Sequence, residues 1–304
     1  MVELVELGSS GVRVSRVGLG CNNFGGRVDF EDTRAVVDAA LDAGVAFFDT
    51  ANIYGGSGGS ERMLGEILEG RRDQVVLATK FGKDMGDGAT SRGAPEYVQQ
   101  ALDASLERLR TDHVDLYYMH EPDPTTPIEE TLGTLDELVR AGKVRAIGCS
   151  NFSAAEVAEA DRAARDRGLT RFVAVQNYYN VLRRDDDEDV LPLCRELGIA
   201  YVPYFPLASG LLTGKYRRGE PAPEGTRLAG RSIDDATYDR VEALARFAEE
   251  RGHTLLELAV SALASTAGVP SVIAGATTPE QVRANAAAVG WRLSDEDFRA
   301  LAVF

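Results

Sequence analysis

Short apolar runs punctuate the chain at near-regular intervals, each followed by a stretch in which apolar positions return every three or four residues. The runs lie near 16–20 (RVGLG), 45–49 (VAFFD), 75–79 (VVLAT), 114–119 (VDLYYM), 145–149 (RAIGC), 172–176 (FVAVQ), 200–204 (AYVPY) and 271–275 (SVIAG). They are rich in Val, Ile, Phe and Tyr and apolar nearly throughout, as strands covered on both faces must be. Amphipathic stretches fall near 31–43, 60–69, 95–109, 128–141, 153–167, 187–197, 254–266 and 279–288. Several open on capping signals, such as Ser153 with Glu156 and Thr278-Pro279 with Gln281. Eight strands alternating with eight helices predict an α/β fold, a (β/α)8 TIM barrel.

Two pieces fall outside this repeat. Residues 3–14, with Gly8-Ser9-Ser10-Gly11 between VELVEL and VRV, read as an N-terminal β-hairpin placed to plug the lower end of the barrel. The Gly/Pro-rich segment 205–235, followed by an extra helix near 236–251, is too long for an ordinary connection and reads as a functional loop over the upper face. The whole of 1–304 is expected to form one barrel domain, a length that such barrels reach as a single unit.

Composition narrows the partners. Lys and Arg number 33 against 48 Asp and Glu, a net charge of −15. Such a surface repels nucleic acid and anionic membrane and points to small-molecule partners. No apolar stretch reaches membrane-spanning length, and the N-terminus lacks a basic segment followed by an apolar core, so a cytoplasmic location is expected. Cys21, Cys149 and Cys194 lack CxxC spacing, which predicts buried thiols and no metal site. The acidic run Asp185 to Asp189 reads as a solvated helix start.

Four polar residues stand at or just past the ends of apolar runs: Asp49, Tyr54, Lys80 and His120. Barrel chemistry gathers at the C-terminal ends of the strands, where these positions fall. Only four of the basic residues are lysines (80, 83, 143 and 215), so a chain that otherwise writes arginine writes lysine at 80. A lysine ammonium is compact and tunable by burial, whereas a guanidinium stays charged. Each residue also has a plainer use. Asp49 and Lys80 fit a structural ion pair, Tyr54 a surface aromatic beside Gly55-Gly56, and His120 a turn before Pro122. His113, ahead of its strand, and His253, in a turn before a helix, do not read as catalytic.

The stretches FFDTANIYGGSGGSERMLGEIL, VVLATKFG, VDLYYMHEPD, GKVRAIGCSNF, VQNYYN, PYFPLASGLLTGKY and GATTPEQVRAN, in that order, resemble the aldo-keto reductase family over nearly the whole chain. The resemblance implies reduction of an aldehyde or ketone by NADPH, or by NADH. Tyr54 would be the general acid, Lys80 would favour its phenolate, Asp49 would hold Lys80, and His120 would position the carbonyl. It further implies that Ser150, Asn151 and Gln176 meet the nicotinamide carboxamide and that Tyr204 stacks under the ring. Leu207, Gly210 and Lys215 would lie along the phosphates, with Gly275, Gln281 and Asn285 at the adenosine end. No GxGxxG or GxxxxGK[ST] competes with this mode of binding. The basic residue that many NADP-preferring members carry two after the glycine is here Thr277, leaving Arg283, Lys215 or an arginine of 217–231 to meet a 2′-phosphate. Asn22, Phe24, Phe81 and Tyr118 are candidate substrate-pocket residues. Because the sequence runs only a short way past its last expected helix, the long C-terminal specificity loop of some relatives is not expected here. Two other uses of the fold stay open: a cofactor-holding, redox-sensing subunit with little turnover, and a Schiff-base lyase with Lys80 as nucleophile.

Overall fold

A computed structural model describes residues 2–302. The chain opens with the hairpin β1 (Leu4–Glu6) and β2 (Arg13–Ser15), paired antiparallel. The barrel then runs β3 (Val17–Gly20), α1 (Phe30–Asp42), β4 (Phe47–Asp49), α2 (Tyr54–Ser57), α3 (Gly59–Ile67), β5 (Val76–Phe81), α4 (Pro95–Leu109), β6 (Val114–Met119), α5 (Ile128–Arg140), β7 (Val144–Ser150), α6 (Ala154–Arg167), β8 (Ala174–Tyr178), α7 (Val190–Leu197), β9 (Ala200–Tyr204), α8 (Asp235–Glu249), α9 (Leu255–Ser265), β10 (Val272–Gly275), α10 (Pro279–Ala287) and α11 (Asp295–Leu301). Strands β3 to β10 close in sequence order, all parallel, with β10 returning to β3. This is the predicted (β/α)8 barrel.

Side chains alternate between the barrel interior and the surrounding helices, and this period of two sets the depth of every residue. Toward the lower end, Phe47, Ala78, Leu116, Tyr118, Ala146, Ala174, Ala200, Val202 and Ile273 share one apolar cluster. Two residues further along their strands come Asp49, Lys80, Gln176 and Tyr204, and four past Ala146 comes Ser150, so the same inward rows turn polar at the upper mouth. The other set of strand side chains, including Phe48, Leu77, Phe81, Tyr117 and Ile147, packs outward under the helices.

The hairpin seals the lower end, as its sequence predicts. Leu7, Val12 and Val14 are buried in the lower apolar cluster. Gly8 makes the closure: its φ is +57°, and a Cβ there would fall 2.5 Å from the Val173 carbonyl oxygen.

Three expectations need correction. The acidic run is a solvated helix start only at its end, where the exposed Asp189 caps α7 and its side chain accepts from the Val190 N–H. Residues 185–187 form a separate 3-10 turn, and α7 begins only at Val190. Asp186 accepts from the Tyr201 hydroxyl (2.6 Å) and Asn177 Nδ2 (2.8 Å), and Asp187 accepts from the Tyr179 hydroxyl and Arg184, so these carboxylates tie the loop to β8 and β9. Helix α11 was not anticipated, although Ser294 with Asp297 forms a full capping box at its start. Phe24, Phe81 and Tyr118 are not pocket residues, because all three are fully buried in the core.

Candidate active site

Asp49, Tyr54 and His120 line a cleft of about 620 Å³ at the upper mouth, with Lys80 directly beneath. Strand register accounts for the meeting: Asp49 pairs with Ala78 across β4 and β5, and Lys80 with Tyr118 across β5 and β6. Lys80 is 0% exposed and donates from Nζ to Asp49 Oδ1 (2.5 Å) and to the Thr50 carbonyl (3.0 Å). The second carboxylate oxygen of Asp49 accepts from Gln176 Nε2 at 2.8 Å. A buried ion pair needs such extra partners, since desolvation otherwise outweighs the attraction.

Tyr54 sits at the start of α2, where the backbone turns through two left-handed glycines, Gly55 and Gly56. A Cβ on Gly55 would come 2.4 Å from the Phe24 carbonyl oxygen, so only glycine lets this turn pack down and bring the phenol over the mouth. The Lys80 ammonium lies 5.2 Å from the centre of the Tyr54 ring, and His120 meets that ring edge-on at 5.9 Å.

Burial and charge set the protonation states. Burial would lower the Lys80 ammonium, but Asp49 and Tyr54 outweigh it and hold its pKa above the usual lysine value. Burial raises the Tyr54 phenol, and the nearby ammonium offsets only part of that rise, so the group is protonated at neutral pH. Burial, with the charges of Lys80 and Lys83, drives His120 well below the ordinary histidine value. Its Nδ1 is buried without a partner, which leaves Nε2 as the ring nitrogen available to the cleft. The unfolded chain takes up this proton near pH 6.5 and the native chain only well below it, so acid favours unfolding from about 6.5 downward. In 15N NMR spectra assigned by comparison with His120→Gln, His120 should stay neutral at pH 6. An ordinary titration near 6.5 would contradict this environment.

The ten candidate cofactor residues all line the same cleft: Ser150, Asn151, Gln176, Tyr204, Leu207, Gly210, Lys215, Gly275, Gln281 and Asn285. Asn151 has a left-handed φ of 61° and bridges three strand ends. Its Nδ2 donates to the His120 carbonyl (2.9 Å), and its Oδ1 accepts from the Tyr204 hydroxyl (2.8 Å). Phe205, Ala208 and Ser209 are also left-handed, so non-glycine backbone strain gathers along this wall of the cleft. The long segment after β9 crosses the opening. Arg227 donates to Asn22 Oδ1 and Asn23 Oδ1, both at 3.0 Å, and Arg27 donates to the Gly225 carbonyl.

The profile of the Aldo/keto reductase family matches residues 16–303. The chain belongs to that family. This aldo-keto reductase is 37% identical to the uncharacterized oxidoreductase YrpG of Bacillus subtilis (strain 168), over 99% of this chain and 95% of the relative. It is 35% identical to the aldo-keto reductase YhdN of the same organism, over 97% and 91%. It is also 37% identical to a probable voltage-gated potassium channel subunit beta of Oryza sativa subsp. japonica, over 92% and 89%. Family membership makes the protein one of a group of oxidoreductases.

The reductase also places residues in the cleft that sequence reasoning did not assign: Asn23, Arg27, Lys83 and Glu280. Lys83 carried a readable signal, being a second lysine three positions after Lys80 in a lysine-poor chain. Arg283 goes the other way. It does not line the cleft, its side chain is 59% exposed, and its nearest acid is Glu280 at 3.9 Å. Among the described residues no cluster of His, Cys, Asp or Glu could hold a metal ion, and no helix is long and apolar enough to cross a membrane.

Proposed function

We propose that this aldo-keto reductase reduces an aldehyde or ketone to the alcohol with NADPH or NADH. The observation that carries the reading is the fully buried Asp49–Lys80 pair beneath a protonated Tyr54, beside a neutral His120, at the floor of a ligand-sized cleft. The donor set fits a nicotinamide dinucleotide. Amides and a half-buried aromatic face (Asn151, Gln176, Tyr204), the cations Lys215 and Arg227, and hydroxyl and amide groups (Thr277, Gln281, Asn285) line one cleft with Tyr54. When bound there, the reduced nicotinamide supplies the hydride equivalent.

The protein's own part is acid catalysis and charge placement. His120 donates from Nε2 to the carbonyl oxygen and orients it toward Tyr54. Tyr54 gives its phenolic proton to that oxygen as charge develops on it. The phenolate left behind faces the Lys80 ammonium, which Asp49 holds in place without solvent reorganisation. A Schiff-base lyase would need a neutral, reachable amine, and the burial and raised pKa of Lys80 weigh against it. The relative named as a probable channel subunit keeps a low-turnover, cofactor-holding role as the second reading. Steady-state oxidation of NADPH by a panel of aldehydes separates the two, and absence of turnover with every aldehyde would favour the second.

Coenzyme choice follows from where the cations lie. The stretch from Gly275 through α10 offers the lining Thr277, Glu280 and Gln281 but no basic residue, and Arg227, in the same lining, is already tied to Asn22 and Asn23. NADPH and NADH are therefore expected to bind within about tenfold of each other, a difference under about 1.4 kcal/mol. Arg283→Ala should change neither dissociation constant. A ratio above tenfold at low salt that collapses in Lys215→Ala would instead give the 2′-phosphate to Lys215.

A further inference from the structure

We infer that this enzyme selects small aldehydes bearing a carboxylate, and that Lys83 is the residue that recognises it. The inference rests on the carbonyl-reduction reading. It starts from the local charge. The chain carries −15, yet the only acids lining the cleft are Asp49, held by Lys80, and Glu280, on the first turn of α10. Against them stand Arg27, Lys83, Lys215 and Arg227. A cleft lined by one sign of charge concentrates ligands of the other.

These cations differ in what they are free to do. Arg227 is tied to Asn22 and Asn23, Arg27 to the Gly225 carbonyl, and Lys215 lies folded against Gly210 in the turn assigned to the cofactor phosphates. Lys83 stands at the other end. It follows β5 in the loop whose Gly82 packs against the His120 backbone, and its charge is felt by the His120 ring. Its side chain is 33% exposed, and its one ion pair, to Glu121 Oε1 at 2.8 Å, is solvent-facing. Such pairs are weak and exchangeable, and an ammonium has three donors to share. Phe24, Phe81 and Tyr118 are buried elsewhere, and beside the aromatic groups that do line the cleft, Tyr54, His120, Tyr204 and Phe205, Lys83 is the cation next to His120.

The test compares 4-oxobutanoate with its methyl ester, which presents the same carbonyl without the charge. Wild type should show at least tenfold higher kcat/KM for the acid, declining with added salt. Lys83→Met should cut the acid's kcat/KM at least fivefold, through KM, and leave the ester within twofold. Lys83→Arg should retain most of the preference, and Glu121→Gln should increase it by releasing the ammonium. Equal rates for acid and ester in wild type, or a preference that survives Lys83→Met, would overturn the inference while leaving carbonyl reduction intact. If no aldehyde is turned over, the reduction reading falls, and calorimetric titration of the NADP+-loaded protein with 4-oxobutanoate decides the role of Lys83. Binding at least fivefold weaker in Lys83→Met supports recognition of the carboxylate, and unchanged binding refutes it.

Discussion

Tyr54→Phe is expected to abolish carbonyl reduction while leaving coenzyme affinity nearly unchanged. The substitution removes one oxygen, the only proton source placed between the Lys80 ammonium and the His120 ring. Loss of a general acid lowers turnover by at least about a hundredfold. The ring remains, so the edge contact with His120 and the turn through Gly55 keep their shape. Fluorescence titration with NADPH reports binding separately from turnover. A variant that keeps most of its rate would take Tyr54 out of the mechanism.

Substitution of Lys80 should do still wider damage, because the residue is structural and electrostatic at once. Lys80→Met leaves the Asp49 carboxylate buried with Gln176 as its remaining partner, and breaking a buried pair in this way costs about 3–5 kcal/mol. Urea unfolding should show the loss, and Asp49→Asn combined with Lys80→Met should recover part of it, since no charge is then stranded. Activity should fall roughly a hundredfold or more with the preorganised charge gone. Lys80→Arg keeps the charge but forces a planar fork into a fully enclosed slot, so it should cost about 1–3 kcal/mol by overpacking and also lower turnover. Wild-type turnover in the arginine variant would show that charge alone matters and that the geometry between Asp49 and Tyr54 does not.

The barrel was legible because its signals are local and repeated. Apolar strand runs end in polar residues, and helices open on caps such as Ser153 with Glu156. The rows turning polar at Asp49 and Lys80 could be read for the same reason, since a period of two fixes which face a residue takes once the strand is known. What sequence could not show was which way loop residues turn. Phe24 looks like a pocket aromatic by position, yet it closes the outer core, while Arg227, about 200 residues from Asn22, reaches across the mouth to it. Phe81 is a different case, since it follows inward-facing Lys80 on β5 and the same period of two turns it outward. The acidic run misled at Asp186 because its partners, Tyr201 and Asn177, come from neighbouring strands. Charge pattern alone cannot reveal such tethers.

The hairpin at the base of the barrel carries a consequence for how the protein is made. It precedes every barrel strand in the chain, but its apolar side chains have nowhere to go until the last strand is in place. Leu7, Val12 and Val14 pack against residues from Phe47 through to Ile273, and the turn at Gly8 touches Val173, Gly198 and Ala200. Contacts of such sequence separation form late. The nascent chain therefore travels with its stopper unseated, and the barrel acquires its floor only once its last strand, β10, has joined.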